Sequence, residues 1–300
     1  MKKVMAAKPV IGITLGDLAG IGPEIVEKSL SSGRLDKGFL YRVILHDEIP
    51  AQIAPGKYSR MSAQFALESL GEGVRQALNG QIAALVTAPV NKTALKSVGF
   101  KFPGQTEFLA DACGTEKFAM MLCSDKLRVS LVTTHLPVKD VSKALTPSRI
   151  KDIILLTTEF CRFTGIQKPK IGVLGLNPHA GEIGDEEAKI IAPAISQARK
   201  LLGRNIHLSG PLSPDTAFYY ALRGVYDAVV CMYHDQGLIP LKMLSFDTGV
   251  NVTLGLPVVR TSPDHGTAFD IAGKGKASPE SMISAINLAA ALATGRMKKK

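Results

Sequence analysis

Short, fully apolar runs alternate along the chain with longer segments in which apolar residues recur at helical spacing. The apolar runs are residues 9–16 (PVIGITLG), 82–87 (IAALVT), 169–176 (PKIGVLGL) and 228–232 (AVVCM). Strands that are apolar on both sides are typical of parallel sheets, because helices cover both faces of such sheets. Residues 147–163 and 186–202 show the spacing of amphipathic helices. The pattern predicts an α/β protein built from strand–helix–strand units.

Several further elements follow from the same pattern. Residues 117–123 and 127–133 are predicted to be an antiparallel pair joined by a short turn, SDK. Residues 62–79 have helical spacing that Gly71 and Gly73 interrupt. Two short strands are predicted over 240–244 and 251–254, and a last amphipathic helix over 278–293.

One strand end with polar residues beside it lies in the stretch Tyr226–Gly237, YDAVVCMYHDQG. Its apolar strand runs directly into His234, Asp235 and Gln236. Ligands bind at the carboxyl edge of parallel sheets, so a His–Asp pair at this point is placed for chemistry.

Two other histidines share this placement. His135 follows the strand 127–133, and His179 follows the strand 169–176. Strand ends converge in space, and three histidines leave coordination positions open for water or substrate, as a catalytic metal requires. Asp215 is available to orient ligands or accept protons. The alternative is that each histidine is a structural turn residue, since neither HExxH nor CxxC is present.

Other polar residues are placed to bind an anion. Lys242, Asn251 and Arg260 interrupt apolar segments. Each is either a solvated surface residue or a buried group that needs a partner, and an anionic ligand would supply one. Thr106 lies at the start of a predicted helix, a seat for phosphate or carboxylate or else a simple helix cap. The turn GDLAGIGPE lacks the GxGxxG spacing of a Rossmann site. It is either an anion-binding turn or a plain strand-to-helix connection.

Composition excludes several classes of protein. The net charge of +10 arises largely at the two termini, and no nucleic-acid-binding motif accompanies it. A basic chain with few aromatic residues suits anionic small substrates, so neither nucleic acid nor a membrane is an expected partner. The four scattered cysteines do not form a disulfide framework. The N-terminus is interpreted as a first strand rather than a targeting segment, which favours a cytoplasmic protein.

The motifs at these positions resemble those of a known family. They are GDLAGIGPE, TAPVNK, PGQTEF, TTHLPVKDV, NPHAGE, GPLSPDT, YHDQGLIPLK and GVNVTLGLPVVRTSPDHGTAFDIAGKGKA. In this order they resemble the 4-hydroxythreonine-4-phosphate dehydrogenases of pyridoxal phosphate biosynthesis, a family that includes 4-phosphothreonate dehydrogenases.

The resemblance implies a fold like that of isocitrate and isopropylmalate dehydrogenases, with two α/β/α domains and a cleft between them. We expect residues 1–104 plus 236–300 to form the first domain and 105–235 the second. It also implies a homodimer in which the partner subunit completes the active site.

The resemblance also implies a set of site residues. His135, His179 and His234 are expected to bind a divalent metal (Zn, Mg or Co), with Asp215 and Asp235 nearby as catalytic residues. Residues expected to contact the phosphorylated substrate are Gln105, Thr106, Lys242, Asn251 and Arg260. NAD or NADP is the expected cofactor, and its binding residues are not assigned.

The implied reaction is oxidation of 4-hydroxy-L-threonine 4-phosphate to a 3-keto acid, which decarboxylates to 3-amino-1-hydroxyacetone 1-phosphate. The metal would acidify the substrate hydroxyl and stabilise the enolate, with Lys242 or an aspartate as base.

Two features depart from the family pattern. Gln105 stands where relatives commonly have a substrate-contacting His, and the segment after NPHAGE is short. Gln hydrogen-bonds but carries no charge, so the identity of the substrate stays open. The alternatives are oxidation of 4-phosphothreonate or a similar hydroxy acid, and a metal- or anion-binding protein without catalysis.

Overall fold

The computed structural model describes residues 7–299, which fold into two compact units. Unit 1 runs to Thr115 and resumes over Leu256–Ala293, whereas unit 2 comprises Glu116–Gly255 and the residues from Thr294. The chain passes from unit 1 to unit 2 after Thr115 and returns after Gly255. Both positions lie further along the chain than the predicted boundaries after 104 and 235.

Side-chain packing explains the later boundaries. Phe108 packs against Phe100 in a cluster that belongs to unit 1, which keeps the segment after residue 104 with that unit. Leu238 and Leu241 are buried with Val129 in the core of unit 2. The segment after residue 235 therefore stays with unit 2.

Strands and helices alternate through most of the described chain. Within residues 7–299 the strands are β1 (Val10–Thr14), β2 (Leu40–Ile44), β3 (Ala84–Thr87), β4 (Ala119–Cys123), β5 (Arg128–Leu131), β6 (Lys170–Leu174), β7 (His207–Leu212), β8 (Ala228–Cys231), β9 (Val250–Leu254) and β10 (Val259–Pro263). The α-helices of the same residues are α1 (Gly22–Ser31), α2 (Arg60–Leu78), α3 (Lys92–Ser97), α4 (Gln105–Ala112), α5 (Val138–Ala144), α6 (Pro147–Phe163), α7 (Ala192–Leu202), α8 (Pro214–Leu222), α9 (His234–Ser245) and α10 (Glu280–Lys299). The α/β class is confirmed.

The strands of unit 1 are parallel. Their order is β2-β1-β3-β10, with β1 between β2 and β3 and with β3 paired to β10. Residues of β1 and β3 are almost fully buried, as their continuous apolar runs predict. The carboxyl ends of β3 and β10 therefore lie at the same edge.

Unit 2 has a mixed sheet with the order β9-β4-β5-β8-β6-β7. Strand β4 is antiparallel to β5, which confirms the predicted hairpin, and β4 is also antiparallel to β9. The pairs β5–β8, β6–β8 and β6–β7 are parallel. Strand β8 therefore lies between β5 and β6 with the same direction as both.

The strand predicted over 240–244 is wrong, because these residues belong to helix α9. Leu238 and Leu241 are buried on one side of this helix, whereas Ile239 and Met243 are 59% and 81% exposed on the other. Pro240 lies inside the helix, and the short apolar run around it reads equally well as strand or helix without tertiary contacts.

Helix α2 continues through Gly71 and Gly73, which the sequence treated as interruptions. A Cβ atom on Gly73 would lie 2.8 Å from a methyl carbon of Leu85 in β3. The glycine therefore lets the helix pack closely on the strand, and this contact outweighs its poor helix propensity.

Three further helical segments differ from the predictions. Short helices α3 and α5 were not predicted, since each is less than two turns long and shows little periodicity. The helix predicted over 186–202 begins with a π-helical turn, Glu187–Ile191, before α7. None of the helices between residues 7 and 299 combines the length and apolarity needed to cross a bilayer.

Candidate functional site

The carboxyl ends of β5, β8 and β6 present the three predicted histidines. His135 follows β5, His234 begins helix α9 after β8, and His179 lies in the loop after β6. Because these strands are adjacent and parallel, all three histidines follow the same edge of the sheet of unit 2. The predicted placement at strand ends is confirmed.

His135 and His234 lie side by side. Their ring centroids are 5.8 Å apart and the ring planes are inclined by 42°. The Nδ1 atom of His234 lies 2.6 Å from a carboxylate oxygen of Asp235. A carboxylate on one ring nitrogen fixes the orientation of an imidazole and leaves the other nitrogen, Nε2, for a ligand.

His179 faces a cavity of about 270 Å³ within unit 2. The cavity is lined by Leu176, Pro178, His179, Pro214, Asp215, Tyr233 and Gln236. Asp215 accepts a hydrogen bond of 2.7 Å from the hydroxyl of Ser213. This hydroxyl, together with the nearby imidazole of His179, lowers the pKa of the Asp215 carboxyl group, which is therefore ionised at neutral pH.

The donor types around these histidines suit a divalent cation. Imidazoles with an adjacent carboxylate are common ligands of zinc and related ions. Within residues 7–299, however, no three His, Cys, Asp or Glu side chains approach closely enough to hold an ion. The donor types suit a cation, but the expected binding of a metal by His135, His179 and His234 stays a prediction.

In unit 1, Arg260 is the most deeply buried of the predicted substrate contacts. Its side chain is 3% exposed, and Nη2 donates to the hydroxyl of Thr87 at 2.7 Å and to the amide oxygen of Gln105 at 3.3 Å. Burial lowers the pKa of the guanidinium to about 10, and the charge of Glu107 opposes part of this shift. Such a desolvated cation is suited to bind an anion.

Gln105 and Thr106 form the first turn of α4, next to this arginine. The side-chain nitrogen of Gln105 donates to the carbonyl oxygen of Ala88 at 3.3 Å, while Thr106 is 6% exposed. Gly104 precedes the helix in an extended conformation and supplies no side-chain cap. The structure thus brings Gln105 into contact with Arg260, and Thr106 is the next residue of the same turn.

Lys242 and Asn251 lie in unit 2. Lys242 is on α9, with Nζ 5.6 Å from the ring centroid of Phe246. Asn251 is in β9, and its buried Oδ1 atom has no hydrogen-bond partner among the described residues. An unsatisfied buried acceptor costs about 1–3 kcal/mol, which is consistent with the predicted contact to a ligand.

Sequence reasoning missed three polar residues that hold this chemistry in place. Thr87 orients Arg260, Glu187 holds the loop that carries His179, and Tyr233 lines the cavity. Thr87 lies in the motif TAPVNK and Tyr233 in YHDQGLIPLK, each at or near the end of a strand. Their positions could therefore have identified them as candidate site residues. Glu187 offered none, since a glutamate on a predicted helix is normally a surface residue.

Comparison with known proteins identifies the family. The family model described as "Pyridoxal phosphate biosynthetic protein PdxA" matches residues 25–289. The chain belongs to this family. The predicted family and its enzyme class, an oxidoreductase, are therefore confirmed.

Curated members of the PdxA family include relatives with two different names. A 4-hydroxythreonine-4-phosphate dehydrogenase of Desulforapulum autotrophicum is 44% identical over 96% of this chain and 96% of its own length. A D-threonate 4-phosphate dehydrogenase of Pectobacterium atrosepticum is 41% identical over 95% of this chain and 99% of its own length.

Solved structures agree on the fold. A 4-hydroxythreonine-4-phosphate dehydrogenase from Klebsiella pneumoniae has a TM-score of 0.82 at 38% identity and covers 95% of this chain and 99% of its own. An isocitrate dehydrogenase from Methylococcus capsulatus has a TM-score of 0.52 at 15% identity, over 96% of this chain and 86% of its own. The predicted resemblance to the isocitrate dehydrogenase fold is confirmed.

Proposed function

We propose that this protein oxidises 4-hydroxy-L-threonine 4-phosphate to the 3-keto acid with NAD in pyridoxal phosphate biosynthesis. The keto acid then decarboxylates to 3-amino-1-hydroxyacetone 1-phosphate. The observation that carries the proposal is the adjacent pair His135 and His234, with Asp235 hydrogen-bonded to His234, in a family of dehydrogenases. The free thiols of all four cysteines are consistent with a cytoplasmic location.

The residues of unit 1 are assigned to the phosphate group. Arg260 supplies a fixed positive charge, and Thr87 and Gln105 hold its guanidinium from one side. Thr106 adds a hydroxyl and the free N–H groups of a helix start. This set recognises a phosphorylated substrate in preference to its unphosphorylated form.

The residues of unit 2 are assigned to the reacting end of the substrate. His135, His179 and His234 would hold a divalent cation, which supplies positive charge where negative charge develops on oxygen. Lys242, Asp215 or Asp235 accepts the proton of the substrate hydroxyl as the alcohol is oxidised. Asn251 contributes its unsatisfied amide oxygen to a substrate donor group.

A second candidate substrate is D-threonate 4-phosphate, because relatives of both names are similarly close. Gln105 is the reason to consider this substrate. Its neutral amide contacts Arg260, where relatives commonly have the titratable ring of a histidine. The two substrates share the phosphate and the oxidised alcohol and differ in the group next to the carboxylate. The same site residues would serve both reactions.

An assay of NADH formation tests the proposed function. Each substrate is supplied with NAD or NADP and with Zn²⁺, Mg²⁺ or Co²⁺ in turn. We expect one phosphorylated substrate to give the higher kcat/KM and its unphosphorylated analogue to react at least about 100-fold less well. Metal binding without NADH formation from either substrate would refute both dehydrogenase proposals.

We further propose that the protein is a homodimer that uses α9 as part of its interface. Ile239, Met243 and Phe246 are 59%, 81% and 73% exposed along this helix and its C-terminal end. Large apolar side chains clustered on one face indicate a contact surface. A second copy is the proposed occupant, because oligomers of identical chains bury the same patch twice around a two-fold axis.

Replacing Met243 by glutamate is expected to dissociate the dimer, because it would bury an unpaired charge in the interface. Light scattering would then report a monomer, whereas the wild type gives a dimer. Leu201→Glu is the matched control, since Leu201 is an apolar residue of α7 with 66% exposure outside this surface. A Met243→Glu variant that stays dimeric would exclude α9 from the interface.

A further inference from the structure

The loop between β6 and His179 is held by a buried carboxylate. Glu187 is 2% exposed, and one oxygen accepts hydrogen bonds of 2.8 Å from the backbone N–H groups of Leu176 and Asn177. Its other oxygen accepts from the side-chain amide of Asn177 at 3.1 Å. Three donors thus converge on a single charged group directly before the histidine.

A second carboxylate extends this contact. The side-chain amide of Asn177 also donates to Glu186 at 2.9 Å, and the other oxygen of Glu186 accepts from the hydroxyl of Ser142 at 2.6 Å. Both glutamates lie at the start of the π-helical turn. Asn177 is therefore held through its backbone and its side chain at the same time.

The backbone that follows has an unfavourable conformation. His179 and Ala180 have φ angles of 58° and 48°, in the left-handed region where a residue with a Cβ atom costs about 1–2 kcal/mol. Non-glycine residues keep such angles only when the surrounding structure holds them. The backbone N–H groups that donate to Glu187 belong to Leu176 and Asn177, three and two residues before His179.

Gly175 makes room for this carboxylate. A Cβ atom at position 175 would lie 3.0 Å from Oε1 of Glu187 and 3.0 Å from Cβ of Ala180. A side chain at this position would therefore push against both the carboxylate and the strained segment. The end of β6, the carboxylate and the loop form one packed arrangement.

We propose that Glu187 is the positioning residue of His179, which it holds in the strained loop that directs the imidazole into the cavity beside Asp215. The inference rests on the proposed function, in which His179 binds the divalent cation. It assigns to a buried glutamate a part in metal affinity and turnover. Removal of the Glu187 charge is expected to make the loop that carries His179 more mobile. It is not expected to alter the residues assigned to the phosphate group.

The Glu187→Gln variant tests this role. Glutamine keeps the size of the side chain, but its NH₂ group would face the NH₂ group of Asn177. Hydrogen exchange of the metal-free protein is expected to rise about ten-fold for the backbone amides of Leu176, Asn177, His179 and Ala180. Zn²⁺, titrated against a chromophoric chelator, is expected to bind about 10–100-fold more weakly. In the assay, kcat falls, while KM for the phosphorylated substrate is unchanged.

Asp227→Asn is the matched control for a merely structural loss. Asp227 accepts a hydrogen bond of 2.7 Å from the backbone N–H of Lys170, at the opposite end of the same strand. Each variant replaces a carboxylate that accepts a hydrogen bond from a backbone N–H group at one end of β6. Only Glu187→Gln should change exchange in 176–180, Zn²⁺ affinity and kcat. Equal effects of the two variants, or no effect of Glu187→Gln, would overturn the proposal.

Asn177→Ala provides a second variant should Glu187→Gln not fold. It removes the side-chain contacts to Glu186 and Glu187 and leaves both backbone N–H groups, so a smaller effect in the same direction is expected. Failure of the wild type to bind Zn²⁺ would count against the proposed function. In that case, faster exchange confined to residues 176–180 would still support the hold on the loop, and unchanged exchange would refute it.

Discussion

His234→Ala is expected to lower kcat by about 10³-fold or more and to leave the fold intact. The imidazole is half-buried, at 36% side-chain exposure, so its loss costs little packing. It would, however, remove a ligand of the cation, whose charge stabilisation is worth several kcal/mol, and about 1.4 kcal/mol corresponds to a ten-fold change in rate. NADH formation under saturating substrate measures kcat, and circular dichroism follows the fold.

Two companion variants make this result specific. Asp235→Asn weakens the orientation of His234 without deleting it, so a loss of about 10–100-fold is expected. His207→Ala is the control. His207 is an exposed histidine at the amino end of β7, whereas the three site histidines follow the carboxyl ends of their strands. Full activity of His234→Ala with added Zn²⁺ would disprove the metal assignment.

Arg260→Met is expected to reduce kcat/KM for the phosphorylated substrate by about 10³-fold while leaving that for the unphosphorylated analogue nearly unchanged. Two charge-assisted hydrogen bonds to a phosphate group contribute about 4 kcal/mol, which corresponds to a change of about 10³-fold in kcat/KM. Methionine fills a similar volume without charge. The effect is expected mainly in KM, because the phosphate group takes no part in the bond changes at the oxidised carbon and is bound equally in the ground and transition states.

The same variant is expected to be at least as stable as the wild type without ligand. Burial lowers the pKa of Arg260 to about 10. At pH 7 the guanidinium is charged in both the folded and unfolded states, so the folded state carries a desolvation cost of roughly 3 kcal/mol. This cost is relieved only as pH rises through about 10, so the free energy of unfolding of the wild type is expected to increase above that pH.

Thermal unfolding distinguishes this role from a structural one. Inorganic phosphate should raise the Tm of the wild type but not that of Arg260→Met. Arg149→Met is the matched control, since Arg149 is a partly buried arginine that donates to the carbonyl oxygen of Phe118 at 2.8 Å. It should lose stability and keep the phosphate response. A phosphate response in Arg260→Met equal to that of the wild type would exclude the assignment.

The error at residues 240–244 shows where sequence patterns fail. The run LIPLKML is apolar at most positions, so a buried strand and one face of a helix are both compatible with it. Only the packing of Leu238 and Leu241 against the sheet of unit 2 selects the helix. In the same way, Gly73 looks like a helix breaker until the close approach of Leu85 explains it.

The sequence by itself determined the α/β class, most strand positions and the histidines at strand ends. These properties depend on local periodicity and on which residues directly follow an apolar run, both of which are visible along the chain. The motifs around them were also sufficient to identify the family, which the comparisons confirmed.

Only the tertiary structure decided which of these residues meet. The strand order β5-β8-β6 brings His135 beside His234, although 99 residues separate them in the chain. The contacts of Thr87 with Arg260 and of Glu187 with Asn177 depend equally on the fold. A threonine or glutamate has no distinctive local pattern, and its role arises only from the buried partner that folding places against it.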